Sequence, residues 1–341
     1  MIKFFISFLL VVFINNLVIA QKDTITSYQK AQTFMRQGDF ANAELVLNKA
    51  LQQTPNDIDL MRSLTIIYYL QQNFTKALEV GTKLTNRLDA DVSSYQALGL
   101  VYKAIADYTN CEKLYKKALE EYPNSGLIYC EYGELLKEKN PQNAISLLEK
   151  GIQLDPNYTG NYYNASLYYA MNSNWIWALV YGEVFINMES LTARTTQVKV
   201  MLFDAYKKLF VDMSRTNSNA AISQENSAFA KAVWITYSKQ SGMTNNGITP
   251  ESLGNIRKQF IKDWYAQGYA YQFPFYTFDY IKTLIQKEMF DAYNQWIFGT
   301  ASNNTANYQT WMNTHQKEND AFLKYQRGDV LKLPRGQYYK K

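Results

Sequence analysis

The sequence predicts an all-α protein: helical hairpins stacked into a solenoid over its first half, followed by a further helical module. Three observations predict it. Hydrophobic residues make up 47% of the 341 and aromatics 15%, too apolar a chain to stay disordered. Apolar side chains recur at three- and four-residue intervals, the period of a helix lying on a core. One pattern of large, small and aromatic positions returns along the first 192 residues, and a recurring unit too small to bury its own apolar face must stack on its neighbours.

In chain order, Met1–Ala20 begins with one basic residue, Lys3, runs apolar from Phe4 to Ile14 and ends Val18-Ile19-Ala20 before Gln21. That is the form of a cleavable secretory signal. The apolar run is short of the roughly 20 residues a membrane-crossing helix needs, and Asn15-Asn16 interrupts it. No cysteine follows the cut to carry a lipid. The expectation is an exported protein with no transmembrane span after cleavage, in the periplasm, at the outer membrane or secreted.

The repeating pattern is clearest over Val92–Ser125. Tyr95, Leu98, Gly99 and Tyr102 form one helical stripe, Tyr108, Cys111, Tyr115 and Ala118 a second, and Pro123 closes the unit. This series resembles the tetratricopeptide repeat, whose period is about 34 residues. The same frame fits 24–57 (Ala31, Phe34, Gly38, Phe40, Ala43, Leu47, Ala50, Pro55) and 58–91 (Leu64, Thr65, Tyr68, Phe74, Ala77, Gly81, Leu84). It also fits 126–158, with one residue lost at the turn near Pro141, and 159–192, where Trp175 takes the aromatic position. Five repeats over 21–192 are expected. Where Gly99 meets Cys111, or Gly133 meets Ala144, short side chains let two helices approach to about 8–10 Å.

The resemblance implies a right-handed α-α superhelix whose concave surface, lined by the first helix of each hairpin, is the ligand face. On this chain those places hold Tyr28, Gln32, Met35 and Arg36, then Arg62, Ile66 and Tyr69, then Gln96, Leu100 and Lys103. Cys130, Glu134 and Lys137 follow, and then Tyr163, Leu167 and Met171. The cations suit carboxylates of an extended peptide and the tyrosines supply rigid contact area. Some members of the family grip a C-terminal carboxylate with a lysine–asparagine clamp. Gln32 and Ile66 stand here where asparagine would serve, so that mode is not expected.

Beyond Thr192 the register is lost, and 193–327 reads as a separate helical module. Thr195–Met213 is a helix with Val198, Leu202, Tyr206 and Leu209 on one face, and Ser214–Ser227 is an Asn/Ser-rich loop. Ala228–Lys239 is a short helix. Thr249 caps a helix with Pro250 in its first turn, running to about Gln267 and burying Ile256, Phe260, Ile261 and Trp264. Phe275–Phe298 reads as one longer helix closed by Gly299, and Tyr308–Arg327 as a last one. Residues 328–341, with Lys332, Arg335, Lys340 and Lys341, read as a flexible basic tail. Asp291–Tyr325 is similar to the C-terminal region of exported repeat proteins of the Bacteroidetes, which implies lineage rather than activity.

Charge and motif content narrow the function. The formal net charge is +5, or +4 once Lys3 leaves with the leader, and acids and bases alternate through most segments, so there is no nucleic-acid footprint. An oxidising compartment would permit a Cys111–Cys130 disulfide; their packing positions point in opposed directions, so two independent core residues is the reading preferred to that bridge. The single histidine, His315, reads as a helix-surface residue, and with two such cysteines no conventional zinc site forms. No phosphate loop or nucleophile elbow occurs. The expected function is a non-catalytic scaffold, without cofactor or metal, that binds an envelope protein or extended peptide on the concave face. The alternative is a cell-wall glycan hydrolase or glycan-binding protein in the C-terminal half. It rests on Glu225 in SQENS and on the aromatic density of Trp234, Trp264, Trp296 and Trp311, residues that at helical spacing also serve as core.

Overall fold

The computed structural model describes residues 27–215, 226–302, 305–328 and 330–340, and every regular element among them is helical. The leader and Glu225 lie outside the described residues. The first ten helices form five hairpins. They are α1 (27–36) with α2 (Phe40–Gln53), α3 (Ile58–Leu70) with α4 (Phe74–Thr85), and α5 (Val92–Ala104) with α6 (Tyr108–Glu121). Then come α7 (Gly126–Leu136) with α8 (Pro141–Leu154), and α9 (Thr159–Met171) with α10 (Trp175–Met188). The chain divides into two compact units, one ending at Pro123 and one running from Asn124.

The hairpin turn has one chemistry. A left-handed residue, Gly38, Gln72, Ala106 or Ser173, ends the first helix. The next residue then donates its N–H back five positions: Asp39 to Phe34 (2.9 Å), Asn73 to Tyr68 (2.8 Å), Asp107 to Tyr102 (2.9 Å) and Asn174 to Tyr169 (2.9 Å). That same Asp or Asn caps the second helix by accepting from the N–H three residues on, which satisfies a donor the helix leaves orphaned. The α7–α8 turn is one residue shorter; Asn140 still caps α8, with Pro141 at its first position.

In the first unit, α3 packs on α4 and on α5, and α5 on α6. Asp57 and Asp91 cap α3 and α5. Ala43, Leu47, Ala77, Leu84, Tyr95, Cys111, Tyr115 and Ala118 are fully buried between the layers. In the second unit, α9 packs on α7, α8 and α10, and α11 (Ala193–Arg215) packs on both α9 and α10. Thus α11 takes the place of a sixth first helix. The expected boundary at 192/193 is therefore not where the packing divides. The reason is α10: every residue from Trp175 to Met188 is buried, and a helix apolar around its circumference needs cover on all sides. That cover comes from α9, α11 and α12 (Ala228–Ser238).

The remainder of this unit comprises α13 (Pro250–Ala266), opened by a Thr249/Ser252 capping box, α14 (Tyr269–Gln272), α15 (Tyr276–Gln286) and α16 (Phe290–Phe298). It ends in α17 (Thr305–Thr314) and α18 (Gln316–Gln326). Two expected single helices are in fact pairs. Phe275–Phe298 breaks at Glu288, which is left-handed, and Met289 donates back to Leu284 (2.9 Å), so α15–α16 repeats the turn of the earlier hairpins. Tyr308–Arg327 breaks at His315 (φ −122°, ψ 30°). The expected flexible tail is also corrected: Leu331 and Leu333 are buried and the backbone of Leu333 is hydrogen-bonded to Asn157. Cys111 and Cys130 are both buried and free. Among the described residues, no helix is long and apolar enough to cross a membrane.

Candidate functional site

In the second unit, the first helices α7, α9 and α11 lie side by side and enclose a groove of about 1020 Å³. Its floor is set by a close approach. A Cβ at Gly133 would lie 2.9 Å from Leu148 Cγ, so glycine lets α7 seat against α8, and Ala144 and Leu148 surface between them. Leu167, Tyr168 and Met171 enter from α9, and Val200, Met201 and Phe203 from α11.

Two of these apolar side chains face water. Met171 is 80% exposed and Val200 52%, and both line the groove together with the half-buried Leu167. The rim is charged and balanced, with Glu134, Glu138 and Asp204 against Lys137, Lys207 and Lys208. Lys208 pairs with Asp204 at 2.7 Å and Lys137 lies 3.8 Å from Glu138. Lys207 reaches over the Phe203 ring (4.1 Å). The amide of Asn164 donates to Glu134 (2.8 Å), and the hydroxyl of Tyr163 donates to Gln197 (2.7 Å) under the Arg194 guanidinium (5.0 Å). Such a surface offers shape, apolar area and local charge. Among the described residues, no group of three or more His, Cys, Asp or Glu side chains could hold a metal ion.

Of the residues expected on the ligand face, Glu134, Lys137, Leu167 and Met171 line this groove, and Tyr163 adjoins it through Gln197. Cys130, expected there too, is instead buried in α7, where the Asn164 amide donates to its sulfur (3.4 Å). The rest stand in the first unit. Tyr28, Gln32 and Arg36 are on α1; Arg62, Ile66 and Tyr69 are on α3; Gln96, Leu100 and Lys103 are on α5. Ile66, Tyr69, Gln96, Leu100 and Lys103 are half-buried. Arg62 has partners within the chain. Its guanidinium pairs with Asp59 and with Asp91 (2.6 Å), the residue that caps α5, at a junction between repeats. Sequence reasoning missed the α11 wall. Its signal was present in Gln197, Val200/Met201, Asp204 and Lys207/Lys208, one helix face at three- and four-residue spacing.

Residues 26–57 and 92–125 match the family model of the tetratricopeptide repeat. No curated protein matches the chain. Several solved structures are similar to it. A thermophilic tetratricopeptide-repeat protein of Thermus thermophilus is 15% identical over 54% of this chain and 98% of that one, with a TM-score of 0.44. A tetratricopeptide-repeat protein of Parabacteroides merdae is 15% identical over 70% and 92% (TM-score 0.41). YrrB, described as having an unusual peptide-binding site, is 18% identical over 52% and 93% (TM-score 0.36).

Proposed function

We propose that this protein is an exported, non-catalytic scaffold that receives an extended segment of an envelope protein in the groove between α7, α9 and α11. The observation that carries the reading is the set of Leu167, Met171 and Val200, two of them exposed, lining a charge-balanced groove. Large apolar side chains gain nothing from water, and a contiguous set rimmed by polar groups is the usual form of a docking surface. The mixed rim suits a peptide with an apolar centre and charges of either sign beside it. Export rests on the form of Met1–Ala20, and a mature chain starting at Gln21 by N-terminal sequencing is its check.

The groove is tested by panning a phage-displayed random peptide library against the full chain. Peptides with an apolar centre should be enriched. Their affinity should fall at least about tenfold, or about 1.4 kcal/mol, with Met171→Asp or Val200→Asp. Because both side chains are largely solvated, the melting temperature should stay within a degree or two of the parent's. No enrichment, or peptides indifferent to both substitutions, would remove the groove as the binding site.

A further inference from the structure

In the same unit, residues 330–340 lie against side chains of α8, α9, α10 and α12 and against residues 273–276. Residues 330–340 form no helix or strand, yet they are held at several points. The Asn157 side chain both donates to the carbonyl of Leu333 (3.1 Å) and accepts its N–H (3.0 Å). Leu331 and Leu333, two residues apart in this stretch, are both buried. Further along, the Tyr338 hydroxyl donates to Glu149 (2.9 Å) and the Tyr339 ring stacks on Phe229 (4.8 Å between centroids). Ser227 donates to the carbonyl of Tyr339 (2.7 Å), and Lys340 lies over Tyr169 and Trp177 (5.4 and 5.2 Å).

This is how a recognition cleft holds a peptide: one amide reads the backbone whatever the side chain, while alternate pockets read identity. Three further features bear on how the segment is held. The residues between its two anchored ends, Pro334, Arg335 and Gly336, are exposed. A cavity of about 1140 Å³ stays open beside Val330, Leu331 and Lys332, against Tyr276, Tyr280 and Asn187. Under the other end, the indole N–H of Trp177 is buried and has no acceptor.

We propose that residues 330–340 are a cis-bound peptide in a recognition cleft formed by α8, α9, α10, α12 and residues 273–276, and that the cleft exchanges it for a segment of another protein. The chemistry of that segment is read from its present occupant. It has two aliphatic side chains two residues apart, then an aromatic pair and a base. A tethered peptide competes at a high effective concentration, so the cleft stays closed to weak ligands until a better-matched one arrives. This inference does not depend on the α7–α9–α11 groove.

The test uses the full chain and a fluorescent peptide copying residues 330–340, read by anisotropy. Leu331→Asp with Leu333→Asp loosens the cis segment but leaves the cleft intact. The loosened chain should bind the peptide at least about tenfold more tightly than the parent, because the competent fraction sets the apparent affinity. Adding Asn157→Ala should remove that gain. Leu331→Ser, which touches one end only, serves where the double substitution weakens folding. Equal binding by parent and loosened chains overturns the proposal, as does loss of the cooperative melt in both variants, which would make the segment structural. A parent chain that is a dimer by light scattering and becomes monomeric on loosening would make the occupant a second copy and equally overturn it.

Discussion

Glu149 shows what burial does to a single group. Its carboxylate accepts from the hydroxyls of Tyr169 (2.5 Å), Tyr338 (2.9 Å) and Tyr181 (3.3 Å). Burial nevertheless pushes its proton affinity above the ordinary glutamate value; the three hydroxyls and Lys340 pull the other way and are outweighed. The folded chain therefore holds this proton more tightly than the unfolded one, and Glu149 favours folding most at acid pH. Its share should fall as pH rises from about 4.5, the unfolded value, through the raised folded value, and stay level beyond. In thermal melts from pH 4 to 8, Glu149→Gln should remove that part of the slope; a variant with the parent's pH profile would contradict the assignment. Arg62 carries the complementary lesson. Its charge was legible, but whether it meets a ligand or the chain's own Asp59 and Asp91 depended on partners up to 29 residues away.

At the scale of the element, the hairpin was largely legible because its requirements are local. Left-handed turns, Asx caps and short residues at helix crossings all act within one repeat. Gly99 is the sharpest case. A Cβ there would sit 2.7 Å from Tyr115 Cζ, inside a layer where Tyr95 and Tyr115 are fully buried. Gly99→Ala should destabilise the protein by about 1–3 kcal/mol, the range for overpacking a well-filled core, measured by urea unfolding. A loss below about 0.5 kcal/mol, within the scatter of surface changes, would show that the Tyr115 ring swings aside freely. The α15–α16 hairpin uses the same turn but was read as one helix. Its left-handed residue, Glu288, is a non-glycine like Gln72, Ala106 and Ser173, but Met289 stands where the other turns carry a capping Asp or Asn, so no local signal marks the break.

For the second unit as a whole, the decisive feature is a buried polar centre that ties α10 to the helices after it. Glu183 and Arg257, respectively 6% and 1% exposed, form an ion pair. Arg257 also donates to Asn294 (3.0 Å), Tyr293 donates to Glu183 (3.0 Å), and Asn187 donates to Tyr293 (2.8 Å). The rings of Phe290, Tyr293 and Phe298 surround the guanidinium at 5.1–5.3 Å. Removing one partner strands a charge in low dielectric. Arg257→Met alone should therefore cost about 3–5 kcal/mol, while Glu183→Leu with Arg257→Met should recover much of it. Urea melts of both variants decide, and a double variant no better than the single one would mean the pair is not coupled. The same packing makes α11 a wall of the candidate groove, which is why a reading that stopped the repeats at Thr192 found Glu134, Lys137, Leu167 and Met171 but not Val200 or Asp204.

By itself, the sequence determined the all-α class and the repeating hairpin, because helical period, caps and small residues act over a few residues and are written wherever the hairpin recurs. The tertiary structure alone decided where the units divide, which first helices share a groove, that Arg62 pairs with Asp59 and Asp91, and that Leu331 and Leu333 are buried. Each of these depends on which distant surfaces bury one another: Asn157 meets Leu333 across 176 residues and Glu183 meets Arg257 across 74. Burial is proportional to area and has no direction, so no local pattern names the surface that will supply it.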